Sequence, residues 1–255
     1  MLRAWTTQDA VRLELCEWRP DTPREEWGLP LVCVHGAIGS ALSFADEGVA
    51  AAAGRIGGRP RALLGFSRRG MAGSDAPPTG YSLEDFVADL KAAVDAAEYR
   101  RFVLFGHSLG VPVAISYAAQ HGNAVAGLVL GDFGPRYPAY GSDWIARIEE
   151  RFRRDAADGG TAGFSLSAMR QMQREARAVA LDAELNVIAC PVLVVTGDQP
   201  DVLLSADDRA HFNRGVTDLR IVVIPGAGHG LDIAGDNTAL LSLLGAFLVR
   251  ADESA

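Results

Sequence analysis

The sequence predicts an α/β fold, with a mostly parallel central sheet of about eight strands and helices on both faces. Short apolar runs, typical of buried strands, alternate along the chain with amphipathic stretches of several helical turns. The apolar runs are hydrophobic at successive positions, which indicates strands that are covered on both faces and joined by crossover helices. A chain of 255 residues with 49% hydrophobic residues can bury the core of one such domain.

Seven apolar runs are predicted to be strands, and they cover residues 11–18, 31–34, 61–66, 102–105, 127–130, 192–196 and 219–224. Helical patterns lie between or after them, over residues 41–53, 83–97, 111–120, 206–214 and 238–249. The second helix has the clearest start, because Ser82 can cap it and the acidic Glu84 and Asp85 lie in its first turn.

One interval breaks the alternation of strands and helices. About sixty residues with helical character separate the strand that ends near Leu130 from the strand that starts at Val192, and this is too long for an ordinary connection. An insertion at the carboxyl edge of a parallel sheet lies over the crevice in which ligands bind. We therefore predict a core of residues 1–133 and 191–255 and a helical cap of residues 134–190, inserted after the sixth strand.

Composition excludes some classes of partner. A formal net charge of −8 without a basic stripe argues against nucleic acid, and no segment has the pattern of a signal peptide or a membrane span. Cys16, Cys33 and Cys190 are few and widely spaced, which favours reduced thiols and a cytoplasmic location. The expected partner is a small-molecule substrate, with neither nucleic acid nor a membrane.

The most informative motif is a Gly-x-Ser-x-Gly sequence, residues 106–110, that follows an apolar strand and leads directly into a helix. A sharp strand-to-helix turn exposes the hydroxyl of Ser108 above the sheet, and the flanking glycines keep the backbone clear of it. The helix start also offers unpaired N–H groups, that of Leu109 first, to an oxygen that becomes negative during acyl transfer. This context predicts a nucleophilic serine.

A serine nucleophile needs a base, and His229 is the best of the five histidines. It lies in the flexible turn of residues 225–230, after a strand and before the final helix, so the loop can carry it back over the sheet edge. It is also the last of the candidate catalytic residues along the chain. In proteins with a Gly-x-Ser-x-Gly turn of this kind, the catalytic residues follow the order serine, acid, histidine.

With this serine turn and this histidine loop, the chain resembles the α/β-hydrolase superfamily over most of its length. Residues 35–39, His-Gly-Ala-Ile-Gly, resemble the turn after that family's third strand, and the resemblance implies that Ala37 supplies a second oxyanion N–H beside Leu109. Residues 67–75 are similar to the family's Arg-Gly-x-Gly-x-Ser-Asp turn, in which Arg69 is expected to organise loops. Residues 227–229 resemble the family's histidine turn.

Two residues are candidates for the acid that pairs with His229. In the resembled family it usually follows the next-to-last strand, but proline occupies that position here and Asp201 comes one residue late. Asp132 follows the strand of residues 127–130, where some members of the family place their acid. We favour Asp132, because its position needs no shift. Asp198 ranks third, as a turn former or a helix cap.

Together these residues predict a serine hydrolase that acts on a small or medium ester, lactone or thioester, with Ser108 and His229 as catalytic residues and Ala37 and Leu109 as the oxyanion hole. Ile38, His107 and Trp144 are candidate residues of the substrate pocket. No metal-ligand spacing and no phosphate loop are present, so neither a metal nor a cofactor is expected. The same residues also suit a carbon–carbon bond hydrolase, an amidase or a perhydrolase, and a ligand-binding module on this fold is the alternative from another class.

Overall fold

The computed structural model describes residues 2–7, 9–46, 58–157, 163–232 and 234–254. Its main sheet has eight strands in the order β1-β2-β4-β3-β5-β6-β9-β10, and a separate antiparallel pair joins β7 to β8. The strands are β1 (Leu2–Thr6), β2 (Arg12–Trp18), β3 (Leu31–Val34), β4 (Leu63–Ser67), β5 (Phe102–His107), β6 (Val125–Gly131), β7 (Arg136–Tyr137), β8 (Val179–Ala180), β9 (Val192–Gly197) and β10 (Leu219–Ile224).

The helices connect these strands, and several of them pack on the sheet. In the described residues they are α1 (Ser43–Asp46), α2 (Leu83–Ala97), α3 (Gly110–Gln120), α4 (Ser142–Ala157), α5 (Leu166–Glu175), α6 (Asp182–Val187), α7 (Ala206–Gly215) and α8 (Thr238–Glu253), with a short 3-10 helix at Arg24–Glu26. As predicted, Ser82 caps α2, since its hydroxyl accepts from the Asp85 N–H while the Asp85 carboxylate accepts from the Ser82 N–H. No helix in the described part of the chain is long and apolar enough to cross a membrane.

The predicted fold class is confirmed. Strands β3, β4, β5, β6, β9 and β10 pair in parallel, while β1 pairs with β2 and β2 with β4 in antiparallel register. Strand β3 shows how the sheet is covered on both sides, because Val32 and Val34 pack in one hydrophobic cluster and Leu31 and Cys33 in the other. This alternation of side chains is the reason that the run reads as continuously apolar.

The structure adds elements that the sequence patterns did not predict. Strand β1 was missed, because a short run at the start of the chain has no flanking helix to separate it from the neighbouring strand; it forms the sheet edge by a hairpin with β2. The interval before β9 also contains the two-residue strands β7 and β8, which are too short to leave a sequence pattern. Of the predicted helix over residues 41–53, residues 47–53 lie outside the described residues.

The segment between β6 and β9 carries helices α4, α5 and α6. It contacts the core through an isolated bridge between Met71 and Phe164 and through Ala168, which lies against Gly70. The buried side chains Ile148, Met169 and Met172 belong to the same hydrophobic cluster as the residues of α2 and α3. The division into a core and a cap of residues 134–190 stays a prediction.

Candidate active site

Ser108 lies at the turn between β5 and α3, at the carboxyl end of the central strand. Its backbone has a φ of +54°, a conformation that is costly for a residue with a side chain. The flanking glycines leave no space for a Cβ: one on Gly106 would lie 2.5 Å from the Gly110 carbonyl oxygen, and one on Gly110 would lie 2.2 Å from that of Val34. The turn is therefore compact because both flanking residues are glycine, and it holds the serine in one place.

His229 approaches Ser108 from the loop after β10, and its Nε2 lies 3.0 Å from Ser108 Oγ. The loop is held by backbone contacts on either side of the ring. The His229 carbonyl oxygen lies 2.8 Å from His107 Nε2, and the His229 N–H donates to Asp201 Oδ2 over 3.2 Å. Three residues earlier in the loop, the Gly226 N–H donates to Asp198 Oδ1. The imidazole is thus positioned by its neighbours as well as by the serine.

Asp132 follows β6 and lies on the other side of the imidazole, with 2.6 Å between its Oδ2 and His229 Nδ1. Its carboxylate is fully buried and accepts three further hydrogen bonds, from the Thr196 hydroxyl over 2.6 Å and from the N–H groups of Leu203 and Leu204. Burial alone would raise the pKa of this carboxyl, but the hydrogen bonds from His229, Thr196, Leu203 and Leu204 lower it below its ordinary value. Asp132 is therefore an anion at neutral pH.

The two acid candidates have different contacts with the histidine. Asp132 contacts the ring, whereas Asp201 accepts a hydrogen bond from the backbone of the same residue. Asp198, the third candidate, accepts from the Gly226 N–H, in agreement with a role in the turn. The structure thus brings Ser108, His229 and Asp132 into one chain of hydrogen bonds and leaves Asp201 outside it.

The His-Gly-Ala turn, residues 35–37, lies beside the serine. A Cβ on Gly36 would lie 3.0 Å from Ser108 Cβ, so the glycine allows the turn to approach this closely. Among the described residues, no hydrogen-bond acceptor is found for the N–H of Ala37 or of Leu109. Both residues line a cavity together with Ser108, so both donors remain available near the hydroxyl.

The side chain of His35 contacts the backbone of this turn and of the neighbouring loop. Its Nδ1 lies 2.9 Å from the Gly36 carbonyl oxygen, and its Nε2 accepts from the Arg68 N–H over 3.1 Å. Burial, and after it the nearby Arg68 charge, lower the pKa of this histidine to about 3. The ring is therefore neutral in the usual working range, with its proton on Nδ1.

Two cavities meet at Ser108. The larger, about 520 Å³, lies beside helix α4 and the residues that follow β6. Its lining includes Ala37, Leu109 and Phe133 together with Tyr140, Trp144 and Arg147. The smaller, about 310 Å³, is lined by His35, Ile38, Phe44, His107 and Arg151, with His229 at its edge. The three predicted pocket residues are thus divided, with Trp144 at the first cavity and Ile38 and His107 at the second.

An imidazole between a hydroxyl and a carboxylate can accept the hydroxyl proton while the carboxylate stabilises the resulting cation. Free N–H donors close to that hydroxyl can bind the negative oxygen of a tetrahedral intermediate. In the described residues, no group of three or more His, Cys, Asp or Glu side chains gathers in a way that could hold a metal ion.

A comparison with known families agrees with this geometry. The sequence model that describes the alpha/beta hydrolase family matches residues 31–239. The chain belongs to this family. That match covers the strand before the His-Gly turn, the serine turn, both aspartate loops and the histidine loop, so it includes every residue of the site described above.

The proteins that this chain is similar to have names that refer to different reactions. The 2-(acetamidomethylene)succinate hydrolase of Mesorhizobium japonicum is 30% identical over 200 residues, which are 65% of this chain and 71% of the relative. A crystal structure of E-2-(acetamidomethylene)succinate hydrolase superposes with a TM-score of 0.77 at 23% identity, over 97% of this chain and 98% of that one. An esterase from Exiguobacterium antarcticum superposes with a TM-score of 0.76 at 20% identity, over 97% and 99% of the two chains. At these identities the solved structures establish the shared fold.

Sequence reasoning missed several residues that shape this alpha/beta hydrolase site. Thr196 and the backbone of Leu203 and Leu204 bind the Asp132 carboxylate, and Arg68 binds the His-Gly turn. Two signals in the sequence could have indicated these residues. One is the threonine near the end of the otherwise apolar strand β9, and the other is the pair of successive arginines directly after strand β4. The expectation for Arg69 agrees with the structure, since it joins Asp89 of helix α2 to the loops that contain Asp9 and Gly80.

Proposed function

We propose that the protein is a cofactor-free serine hydrolase that cleaves a small or medium ester, lactone or thioester through an acyl-enzyme. One observation carries the proposal: the continuous chain of hydrogen bonds from Ser108 Oγ to His229 and on to the buried Asp132 carboxylate, with distances of 3.0 Å and 2.6 Å. A serine hydroxyl is a weak nucleophile on its own, and this arrangement is the usual means of activating it.

In the proposed first half of the reaction, His229 Nε2 takes the proton of Ser108 while Oγ attacks the substrate carbonyl carbon. The carbonyl oxygen becomes negative and is held by the N–H groups of Ala37 and Leu109. Asp132 stabilises the imidazolium through Nδ1. The tetrahedral intermediate then collapses, the bond to the leaving group breaks, and His229 returns the proton to the leaving oxygen or sulfur.

In the second half, a water molecule replaces the leaving group. His229 takes a proton from the water, the hydroxide attacks the acyl carbon, and the same two N–H groups hold the oxyanion. Collapse of this intermediate releases the carboxylic acid and returns the proton to Ser108. Asp201 has no part in the proton transfers, because its contact with His229 is to the backbone; we propose that it positions the histidine loop.

The proposed substrate site is the larger cavity, about 520 Å³, between the serine and helix α4. This volume suits a small or medium substrate. We propose that residues 134–190 form the cap over it, with Trp144 as an apolar wall. Ile38 and His107 line the smaller cavity, where we expect the shorter portion of the substrate to bind.

The most detailed part of the proposal is the class of bond that the enzyme cleaves. Names of relatives refer to an acetamido-substituted succinate and to esters, so amides are the main alternative to esters. Carbon–carbon bond hydrolysis and perhydrolysis use nearly the same catalytic groups.

The test is a panel of nitrophenyl esters with graded acyl length, assayed beside matched nitroanilide amides, thioesters, lactones and a β-diketone, with a further arm containing acetate and hydrogen peroxide. We expect turnover of at least one ester series, and Ser108→Ala should lower it at least a thousandfold while the protein remains folded. A fluorophosphonate should label wild-type protein at Ser108. Unchanged turnover in the Ser108→Ala variant would refute the mechanism, and stoichiometric binding without turnover would favour a ligand-binding module.

A further inference from the structure

Arg68 directly follows β4 and contacts the His-Gly-Ala turn, which follows the neighbouring strand β3. Its side chain is fully buried. Its Nη2 donates a hydrogen bond to the Gly36 carbonyl oxygen and a second one, over 3.3 Å, to the Ala37 carbonyl oxygen. The guanidinium is thus attached to the backbone that carries the Ala37 N–H, and it does not line either cavity at Ser108.

This guanidinium is poorly compensated for a buried charge. In contrast to the adjacent Arg69, which binds the buried Asp89 through two hydrogen bonds, Arg68 forms no ion pair with any described carboxylate. Among the described residues, its Nε and Nη1 have no hydrogen-bond partner, and its further contact is with the Phe86 ring, whose centroid is 4.8 Å from Cζ. Burial accordingly lowers the pKa of Arg68 below its usual value.

A buried charge without a counter-ion lowers stability, so packing alone is a poor explanation for an arginine at this position. The group that Arg68 binds suggests a better one. Two donors, Arg68 Nη2 and His35 Nδ1, share the carbonyl oxygen of the Gly36–Ala37 peptide, and the other end of that peptide unit is the Ala37 N–H. A hydrogen bond from a cation withdraws electron density from a carbonyl oxygen and strengthens the donor at the opposite end of the amide.

We propose that Arg68 is a positioning residue for the oxyanion hole, which fixes the Gly36–Ala37 peptide and polarises its N–H toward the negative oxygen of the tetrahedral intermediate. The proposal rests on the proposed function, because it requires a negative oxygen beside Ser108. Arg68 does not touch the substrate; it acts through the peptide, and its unpaired charge adds a positive potential in the low-dielectric region behind the turn.

The test compares the same substitution at two buried arginines. Arg68→Met removes the donors and the charge, and Arg68→Lys keeps a charge with a shorter side chain. Arg61→Met is the matched control, because Arg61 is also buried but binds the Leu29 carbonyl group and Asp252. Arg61 precedes β4 and so lies at the amino ends of the parallel strands, whereas Ser108 lies at their carboxyl ends.

Loss of a complete oxyanion donor costs about 100- to 1,000-fold in kcat, so weakening one donor by Arg68→Met should lower kcat about 10- to 100-fold. KM should change less than about threefold, and Arg68→Lys should recover part of kcat. The Arg61→Met control should keep wild-type kcat while its melting temperature falls more than that of Arg68→Met, because it leaves the largely buried Asp252 carboxylate without its ion-pair partner.

A second measurement distinguishes polarisation of the oxyanion hole from a structural role. The affinity of a trifluoromethyl ketone, which forms a tetrahedral adduct with serine, should fall across wild type, Arg68→Lys and Arg68→Met in proportion to kcat/KM. Binding of a non-hydrolysable ether analogue of the substrate should not change. If kcat and ketone affinity are unaltered in Arg68→Met, the proposal is wrong, and it is equally wrong if Arg61→Met loses kcat to the same extent. Labelling of Ser108 by a fluorophosphonate, retained in these variants, separates that failure from a failure of the hydrolase function itself.

Discussion

The strongest test of the site is Asp132→Asn, with Asp201→Asn as its matched control. Both residues are aspartates in loops at the carboxyl edge of the sheet, and both contact His229, one at the ring and one at the backbone. The substitution to asparagine keeps the size of each side chain and removes its charge. A difference between the two variants therefore reports which contact matters for turnover.

The magnitude follows from the four donors that surround Asp132. His229 and Leu203 donate to Oδ2, and Thr196 and Leu204 donate to Oδ1, so an asparagine NH₂ group must face at least one N–H donor in either orientation. If NH₂ faces the ring, Nδ1 must become an acceptor and the proton moves to Nε2, which then cannot accept the proton of Ser108. This loss of the correct tautomer costs about 10,000-fold in kcat.

In the other orientation the amide oxygen faces the ring and only the counter-charge is lost. Two unit charges about 4 Å apart interact by about 4 kcal/mol at an effective dielectric constant of 20, which corresponds to about a thousandfold in rate. Both orientations therefore predict a loss in kcat of about 1,000- to 10,000-fold for Asp132→Asn. Asp201→Asn keeps a carbonyl oxygen that can accept from the His229 N–H, so we expect less than about a tenfold effect.

The assay is steady-state hydrolysis of the best nitrophenyl ester from the panel, with circular dichroism to confirm that both variants are folded. Turnover of Asp132→Asn within tenfold of wild type would refute the assignment of the acid. A larger loss in Asp201→Asn than in Asp132→Asn would show that positioning of the loop outweighs stabilisation of the imidazolium.

Three further predictions concern stability and specificity. Because the pKa of buried His35 falls to about 3, the unfolded state binds a proton below its ordinary pKa near 6.5 while the folded state does not. The contribution of His35 to the free energy of unfolding is therefore complete above about pH 6.5 and is lost as the pH falls toward about 3, by at most about 1.4 kcal/mol per pH unit. In urea unfolding at a series of pH values, the free energy of unfolding of His35→Gln should depend less steeply on pH over this range, and an equal dependence would contradict this account. Arg69→Met should cost about 3–5 kcal/mol, since Asp89 would remain buried and unpaired, and unfolding of the Arg69→Met/Asp89→Leu double variant should show most of that loss recovered. Trp144→Ala, which removes a wall of the larger cavity, should raise kcat/KM for the longest acyl chain relative to the shortest by about tenfold, and an unchanged ratio would place the acyl site elsewhere.

Local patterns were sufficient to predict most of the fold. Helix α2 runs over the predicted residues, Leu83–Ala97, because its capping serine, acidic first turn and apolar periodicity all agree. Strand β5 extends to His107, two residues further than its apolar run, because hydrogen bonds to β6 continue past the last large apolar side chain. Strand β1 has no such local signal, since its place in the sheet depends on a partner strand.

The positions of Ser108 and His229 could also be predicted from local sequence. Glycines on both sides of Ser108 are required by close backbone approaches, and those requirements are visible as a motif. The two proposed oxyanion donors, Ala37 and Leu109, follow from the turns at residues 35–39 and 106–110. The sequence therefore determined the class of fold and the residues at the centre of the site, because each depends on contacts within a few positions along the chain.

Only the tertiary structure shows which of the two candidate acids contacts the His229 ring, and which groups the two adjacent arginines bind. Asp132 and Asp201 follow β6 and β9, which are neighbours in the sheet, so sequence position alone left both within reach of His229. The choice depends on the backbone of Asp132, with a φ of +46°, and on the loop after β9, which turns the N–H groups of Leu203 and Leu204 toward its carboxylate. Arg68 and Arg69 are adjacent in sequence but point to different surroundings, the first to the Gly36 carbonyl group and the second to Asp89. These differences arise from contacts between segments distant in the chain, and such contacts exist only once the sheet has formed.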